Sequence, residues 1–353
     1  MVTLKEIAQA CNVSVTTVSN ILNGKAKAGE ETKQRVLQMV KEMGYQPNYI
    51  AQGLRNSKTH TIGIIAEDIA QFTTPGMIES IMAYFEKKGY RAIVQNLRLY
   101  GRWEDRWYHN EEAYHSVFDP ALHELMSVKV DGILYIAGHA RIIKSFPEDF
   151  QIPSVMAYAY TESEKIPSIA IDDTASAYEL VKHLLDMGHR KIGVIGGYPD
   201  NIHTQKRLLG YQKALFDAQI LFEPELVRYG NFERSTGYKE CEALIDAGVT
   251  AIFCMTDRMA GGAYDRIEEK GLKVGKDISV VGFDDQDIAA YFRPALTTTK
   301  LPLQEIGFQA AKLLIDRIEA GEEEPVESEI TEILIPCTIQ KRKSVCDMKN
   351  DDY

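Results

Sequence analysis

Thr16, Thr17, Ser19 and Asn20 place three hydroxyls and one carboxamide within five consecutive positions near the start of the chain. Groups of this kind exchange hydrogen bonds with base edges or phosphate oxygens, and a carboxamide matches the paired donor and acceptor of adenine. The same residues suit a merely solvated helix face, and their spacing leaves both readings open. A second chemistry is suggested by paired carboxylates, Asp172-Asp173 and Asp284-Asp285, each directly after an apolar run. Such pairs at strand ends serve hydrolases and transferases as well as binding proteins. No nucleophile elbow, P-loop, dinucleotide-binding fingerprint or zinc motif accompanies them, which weighs against an enzyme. Gly196-Gly197 reads as a turn after a strand rather than as a phosphate cradle. Cys11, Cys241, Cys254, Cys337 and Cys346 are odd in number, widely spaced and contain no Cys-x-x-Cys pair. Reduced thiols are expected, not disulfides or a zinc site. His109, His115 and His123, with Glu111 and Glu112, lack metal-ligand spacing. Neither a metal nor a cofactor is expected.

The elements that must carry the polar quartet are short helices. Thr3-Leu4-Lys5-Glu6 reads as a capping box opening a helix of about 4 to 11, with Leu4, Ile7 and Ala8 as its apolar stripe. Asn12 and Val13 make a tight turn, Ser14 caps a second helix, and Val18, Ile21 and Leu22 face inward until Asn23-Gly24 stops it. A third helix, about 30 to 43, is expected to bury Val36, Leu37 and Val40 and to end at Gly44. Two helices joined by so tight a turn match the helix-turn-helix, whose second helix offers its first residues to the major groove. The next segment, Pro47 to Arg55, is too short for a stable isolated helix, and Gly53 weakens it by about 1 kcal/mol.

Charge divides along the chain in the same way. Residues 1–60 hold eight Lys or Arg against four Glu, net +4, which leaves −15 for the remainder of a chain whose formal charge is −11. Only the basic head can favourably approach phosphates. The length of 353 residues implies two or three domains, and 45% hydrophobic with 26% charged residues implies ordinary globular cores. The start lacks a signal-like basic and apolar run, and no stretch is apolar enough to span a bilayer, so a cytoplasmic location is expected.

After Thr61 the pattern becomes short apolar strands alternating with helices, an α/β signature of parallel sheets covered on both faces. Strands are expected at 61–66, 90–95, 132–137, 154–158, 168–171, 191–195, 251–255 and 279–283. A first lobe begins at 61 and a second near 174. Ligands of open parallel sheets sit beyond the strands' carboxyl ends, so a cleft between the lobes is the expected site. Between Asn96 and Asp131 lies a long span with Tyr100, Trp103, Trp107, Tyr108, Tyr114 and Phe118. It reads as a lid, a partner surface or an insertion packed on its own lobe.

The run from Thr3 to Gly24, continued by Gly44-Tyr45-Gln46-Pro47-Asn48 and by Ala51 and Leu54-Arg55, resembles the headpiece of the LacI/GalR (lactose repressor) family. The body resembles the same family and its periplasmic sugar-binding relatives through Asp131-Gly132-Ile133, Gly188 to Ile192, Arg207 to Tyr211, Ala251 to Ala260, Asp277 to Asp285 and Leu296-Thr297-Thr298. Together these cover about residues 3 to 342.

The resemblance implies a DNA-binding transcriptional regulator with an all-α helix-turn-helix domain at 1–46, a hinge at 47–60 and a two-lobed, periplasmic-binding-protein-like core at 61–343. The first lobe would take about 61–173 and 300–329, the second about 174–299 and 330–343, with an acidic tail at 344–353. Val15, Thr16 and Asn20 would read base edges, Thr17 and Ser19 would hold phosphates, and Thr3, Ser14, Asn23, Tyr45, Asn48 and Ala51 would complete the DNA surface. Leu54 would wedge into the minor groove beside Arg55. Many relatives carry Arg where Asn20 stands, and often Ser where Gly29 stands. In the cleft, Arg207 would fork onto hydroxyls or a carboxylate, Asp284 would accept hydroxyls, Phe232 would stack on a sugar face, and Thr256 and Asp257 would close the end of a strand.

Phe72 and Thr73, in Gln71 to Pro75, and Tyr158 stand where the chain departs from its relatives, so effector identity is open. A carbohydrate leads, ahead of a purine, a phosphosugar or a phosphoprotein partner. The expected partners are double-stranded operator DNA, a small effector and a second copy of the chain. A tail without leucine heptads argues for a homodimer. A sugar-binding transport component would suit the body alone, but not the attached head.

Overall fold

The computed structural model describes residues 2–22, 28–45, 58–147, 149–320 and 331–349. They fall into two compact units, Met1–Thr59 and His60–Tyr353.

The first unit is three helices, Leu4–Ala10, Val15–Leu22 and Glu30–Glu42. The capping box forms: Thr3 N donates to Glu6 Oε2 at 2.7 Å and Glu6 N donates to Thr3 Oγ1 at 3.3 Å. Those bonds from Thr3 hold the Glu6 carboxyl below its usual range. Asn12 turns the chain in the left-handed region, at φ 52°, and Thr17 N donates to Ser14 Oγ at 3.0 Å to start the second helix. Ile7, Ala8, Val18, Ile21 and Val36 form the core, with Leu22, Met39 and Val40 packed against it. Leu37, expected inside, is 50% exposed. Its neighbour Val36 and the residues three, four and seven positions further on (Met39, Val40 and Met43) take the inner stripe, and one residue's rotation carries Leu37 off it. Asn23, Asn48, Ala51, Leu54 and Arg55, and with them the expected hinge helix, lie outside the described residues.

The second unit begins with strands β1 (Thr61–Ala66), β2 (Arg91–Asn96), β3 (Gly132–Ile136), β4 (Ile142–Ile143), β5 (Ser154–Ala157), β6 (Tyr160–Thr161) and β7 (Ser168–Ile171). It continues with β8 (Ile192–Gly196), β9 (Val227–Tyr229), β10 (Ala251–Cys254), β11 (Ser279–Asp284), β12 (Thr297–Lys300), β13 (Glu332–Ile335) and β14 (Thr338–Gln340). One six-stranded sheet has the order β13-β7-β5-β3-β1-β2 and the other β14-β12-β11-β10-β8-β9. Pairing within the six-stranded sheets is parallel except for β12 with β14. Parallel strands need crossover connections, and the crossing helices cover both sheet faces. Every residue of β3 and β10 is accordingly buried. Close helix pairs rely on glycine: a Cβ on Gly210 would overlap the Thr174 carbonyl, and one on Gly262 the Arg234 carbonyl.

All eight expected strands form within a residue or two. Strands β4, β6, β9, β12, β13 and β14 were not foreseen; of these, β9, β13 and β14 are edges of the six-stranded sheets. They correct the lobe boundaries. Residues 330–343 do not all belong to the second lobe: β13 lies parallel to β7 in the first sheet, with Ile333 opposite Ile169, and only β14 returns to the second. The expected tail is also docked where it is described. Ser344 Oγ donates to Val280 O at 2.6 Å and accepts from Thr297 N at 2.8 Å, and Met348 N donates to Met187 O at 2.8 Å. Among the described residues no helix is long and apolar enough to cross a membrane.

Candidate functional site

In the helical unit, Val15, Thr16 and Asn20 are exposed on the second helix, with Thr17 and Ser19 half-buried beside them. Thr16 and Asn20 are four residues apart and share one ridge of that helix. Thr17 Oγ1 lies 2.8 Å from Ser14 Oγ, so part of its hydrogen-bonding capacity is used in the helix start. Thr3 is exposed, and Tyr45 is half-buried against the core of the unit.

In the sensor unit the carboxyl ends of both sheets surround one cavity, of about 880 Å³ including the part open to solvent. Of the expected effector residues, Phe72, Thr73, Tyr158, Arg207, Phe232, Thr256 and Asp284 line it. Asp257 does not. Its carboxylate accepts from Thr298 Oγ1 and, at 2.7 Å, from Gln286 N. It braces the loop after β11 from behind, because the first turn of helix Asp257–Glu269 points it into the lobe.

The floor is a buried charge network. Arg207 Nε donates to Asp173 Oδ1 at 2.7 Å, its Nη1 to the Met255 carbonyl, and its Nη1 stands 3.9 Å from Asp284 Oδ1. The guanidinium lies over the Phe283 ring, 3.7 Å from the centroid. His203, one helical turn before Arg207, stands with Nδ1 2.7 Å from Asp173 Oδ2, while its Nε2 accepts from Ala140 N at 3.2 Å. A backbone N–H can only donate, so Nε2 is unprotonated and the hydrogen sits on Nδ1. The ring is neutral, which agrees with burial lowering its pKa. Burial pushes the Asp173 carboxyl up, but His203 and Arg207 together bring it below its ordinary value. Burial raises Asp284 to about 7, against the pull of Arg207. Asp257, buried close to Asp284, is pushed up for the same reason and by the Asp284 charge.

Two lining residues at strand ends have backbones in the left-handed half of conformational space, Tyr158 at φ 57° and Asp284 at φ 109°. Such conformations cost about 1 to 3 kcal/mol in a non-glycine residue and collect at binding sites. The other lining cation, Arg258, is paired with Glu233 at 3.1 Å. Thr256 caps the helix that follows it, accepting from Met259 N at 3.2 Å. Thr73 Oγ1 donates to Gly138 O at 3.1 Å.

His203, His139 and Asn201 were not singled out from sequence, whereas Asp173 stood out only as one of a carboxylate pair and Trp107 and Tyr108 only within the aromatic span. One signal existed for His203: its four-residue separation from Arg207 puts both on one helix face. The aromatic span after β2 divides: Tyr100, Trp107 and Tyr108 line the cavity, while Tyr114 and Phe118 pack in the first lobe's own core.

The chain thus joins a basic three-helix unit with an exposed polar helix face to a two-lobed unit whose cavity lies at the strand ends. Residues 3–48 match the model for bacterial regulatory proteins of the lacI family, and residues 181–345 match the periplasmic binding protein-like domain. An HTH-type transcriptional repressor PurR of Escherichia coli O1:K1 / APEC is 31% identical over 358 residues, covering 100% of this chain and 99% of that protein. The chain belongs to the LacI family. A ribose operon repressor of Haemophilus influenzae is 30% identical, covering 99% of this chain and all of that one. The solved lac repressor dimer bound to operator and the anti-inducer ONPF has the same fold, with TM-score 0.78 and 24% identity over 98% of this chain and 99% of that one. This LacI-family chain is therefore a DNA-binding transcriptional repressor with an effector-binding core, and not an enzyme.

Proposed function

We propose that this regulator binds a palindromic operator as a homodimer and represses carbohydrate-utilisation genes until a neutral sugar enters the inter-lobe cavity. The observation that carries the effector class is the pairing of charge in the lining. Arg207 is matched by Asp173 and Asp284, and Arg258 by Glu233. A phosphorylated or carboxylated ligand would need a cation in surplus. What the cavity offers instead is aromatic faces, among them Phe72, Tyr158 and Phe232, beside hydrogen-bonding groups on Gln71, Asn201, Arg207, Asp284 and Gln286. Apolar faces and many fixed hydrogen-bonding groups suit a sugar ring. The Haemophilus influenzae relative is a ribose operon repressor, and a LacI-family structure from Enterococcus faecium holds bound ribose, which supports the same class.

A purine is the second reading, favoured by one feature. The His139 and Phe232 rings are nearly parallel, at 18° and 6.4 Å between centroids, and a flat heteroaromatic ring stacks on such faces. On the DNA side, Val15, Thr16 and Asn20 read base edges, Thr17 and Ser19 contact phosphates, and Leu54 and Arg55 act at the operator centre.

The test is to select operator sequences from random DNA with the full chain, then screen neutral sugars, phosphosugars and purine bases for release. Release by a neutral sugar supports the proposal. Release by a phosphosugar alone or a purine alone defeats the sugar assignment, and failure to select any palindrome defeats the dimeric operator reading.

A further inference from the structure

The chain between β2 and helix Glu111–Ser127 is built as a bridge. It leaves the first sheet at Arg98, in the left-handed region at φ 54°, runs through the short helix Leu99–Trp103, turns again at Glu104 at φ 53°, and ends at Asn110. Its root is fixed in the first lobe. Leu99 N donates to Glu67 O at 3.1 Å and Gly101 N to Asp68 Oδ2 at 3.2 Å. Trp107 is buried with the Arg141 guanidinium 5.0 Å from its ring centroid. Arg141 is itself held by the buried Glu67 at 2.9 Å, and Gly138 N donates to the other oxygen of that carboxylate at 2.8 Å. One acid thus secures both the bridge and the loop carrying His139 and Ala140.

Its tip touches the second lobe. Asn201 caps helix Ile202–Asp217, its Oδ1 accepting from His203 N at 2.9 Å and Thr204 N at 3.4 Å. The cap fixes the orientation of the carboxamide, so Nδ2 faces away from the helix and requires an acceptor. Tyr108 Oη supplies it at 3.1 Å, from a residue 93 positions earlier. Next to it, His109 Nε2 lies 3.4 Å from Asp200 Oδ2, although that pair is exposed and contributes little by itself. Tyr100, Trp107 and Tyr108 line the cavity from the same segment.

We propose that residues 99–109 are a strap that latches the first lobe onto the second across the cleft, with Tyr108 and Asn201 as the latch. Tyr108 is then a positioning residue: it couples what occupies the cavity to closure of the lobes. This coupling rests on the cavity being the effector site, whereas the latch itself does not.

The test uses the full chain without ligand. Hydrogen exchange of residues 99–110 is measured in the wild type, Tyr108→Phe, Asn201→Ser and the double variant. Tyr108→Phe keeps the ring, and serine keeps the helix cap while withdrawing the donor. A single hydrogen bond, net of solvent, corresponds to about a fivefold change in opening. Each single variant is expected to speed exchange in the strap by about that factor, and the double variant no further. Both tryptophans of the chain, Trp103 and Trp107, lie in the strap, so acrylamide quenching of their emission is expected to rise in parallel. Unchanged exchange in the strap, or single effects that multiply in the double variant, would overturn the latch. Because no ligand enters this measurement, a failed latch leaves the cavity assignment standing, and a failed sugar screen leaves the latch standing.

Discussion

Asp284 is a buried carboxyl in the lining of the candidate site, and Asp284→Asn separates its cost in stability from its proposed part in binding. Its carboxyl is buried and pushed from an ordinary value near 3.8 to about 7. The folded chain therefore keeps a proton that the unfolded chain releases across that window. Where the unfolded state binds fewer protons, stability falls as pH rises. The cost is absent below about pH 4, grows between 4 and 7, and is complete above 7. A displacement of that size corresponds to about 4 kcal/mol, an upper bound because Asp257 titrates with it and the lobe can relax. Asparagine keeps the shape and removes the ionisation. It also tolerates positive φ better than most residues, so the backbone at φ 109° is not a new obstacle. The variant is expected to melt several degrees higher than wild type at pH 8, with the gain shrinking towards zero at pH 4.5, followed by calorimetry of the full chain. Effector-driven operator release is expected to weaken at least tenfold, because a carboxylate acceptor is lost from the cavity. A variant less stable than wild type at pH 8 would refute the reasoning, since it would mean that pairing with Arg207 at 3.9 Å outweighs burial.

Other substitutions test separate links. Ile7→Ala removes a fully buried side chain from the small helical unit at a cost of about 2 to 5 kcal/mol. Gel-shift affinity should collapse while the sensor's calorimetric transition stays in place, and a shared loss would contradict the division into two units. Asn20→Ala should cost about 1 to 3 kcal/mol at one operator base pair only. Uniform weakening in a selection from random DNA would assign Asn20 to the phosphates instead. Gly262→Ala forces helices Arg234–Asp246 and Asp257–Glu269 apart at the Arg234 carbonyl. A loss of about 3 kcal/mol or more in denaturant unfolding is expected, and a neutral result would mean that the helix pair is not closely packed at this point.

Most of the fold was legible because it is written in local pattern. The capping box at Thr3 and Glu6 needs only four consecutive residues, and the strands of both sheets announce themselves as apolar runs. The strands that escaped were short, and most of them are sheet edges. Glu332–Ile335 is a strand only because β7 lies beside it, so its place in the first sheet could not be read from its own four residues. The site divides in the same manner. Phe72, Tyr158, Arg207 and Asp284 were reachable because each follows a recognisable strand or sits in a recognisable phrase, whereas Phe232 came only from the family resemblance. Asp257 met the same criterion and was misplaced, since sequence gives a residue's position along the chain but not the direction of its side chain.

What the amino-acid order determined unaided is the list of parts: a basic helical head, a switch to α/β at Thr61, and short apolar strands alternating with helices. These follow from interactions between residues a few positions apart, which a segment can make without the rest of the fold. Only the tertiary structure decided which parts meet. Asp173 holds both His203 and Arg207, from 30 and 34 positions away, and Tyr108 meets Asn201 from 93. Such meetings are set by sheet order and by the crossings between the lobes, and the free energy that fixes them comes from burying two whole cores rather than from any short stretch of sequence.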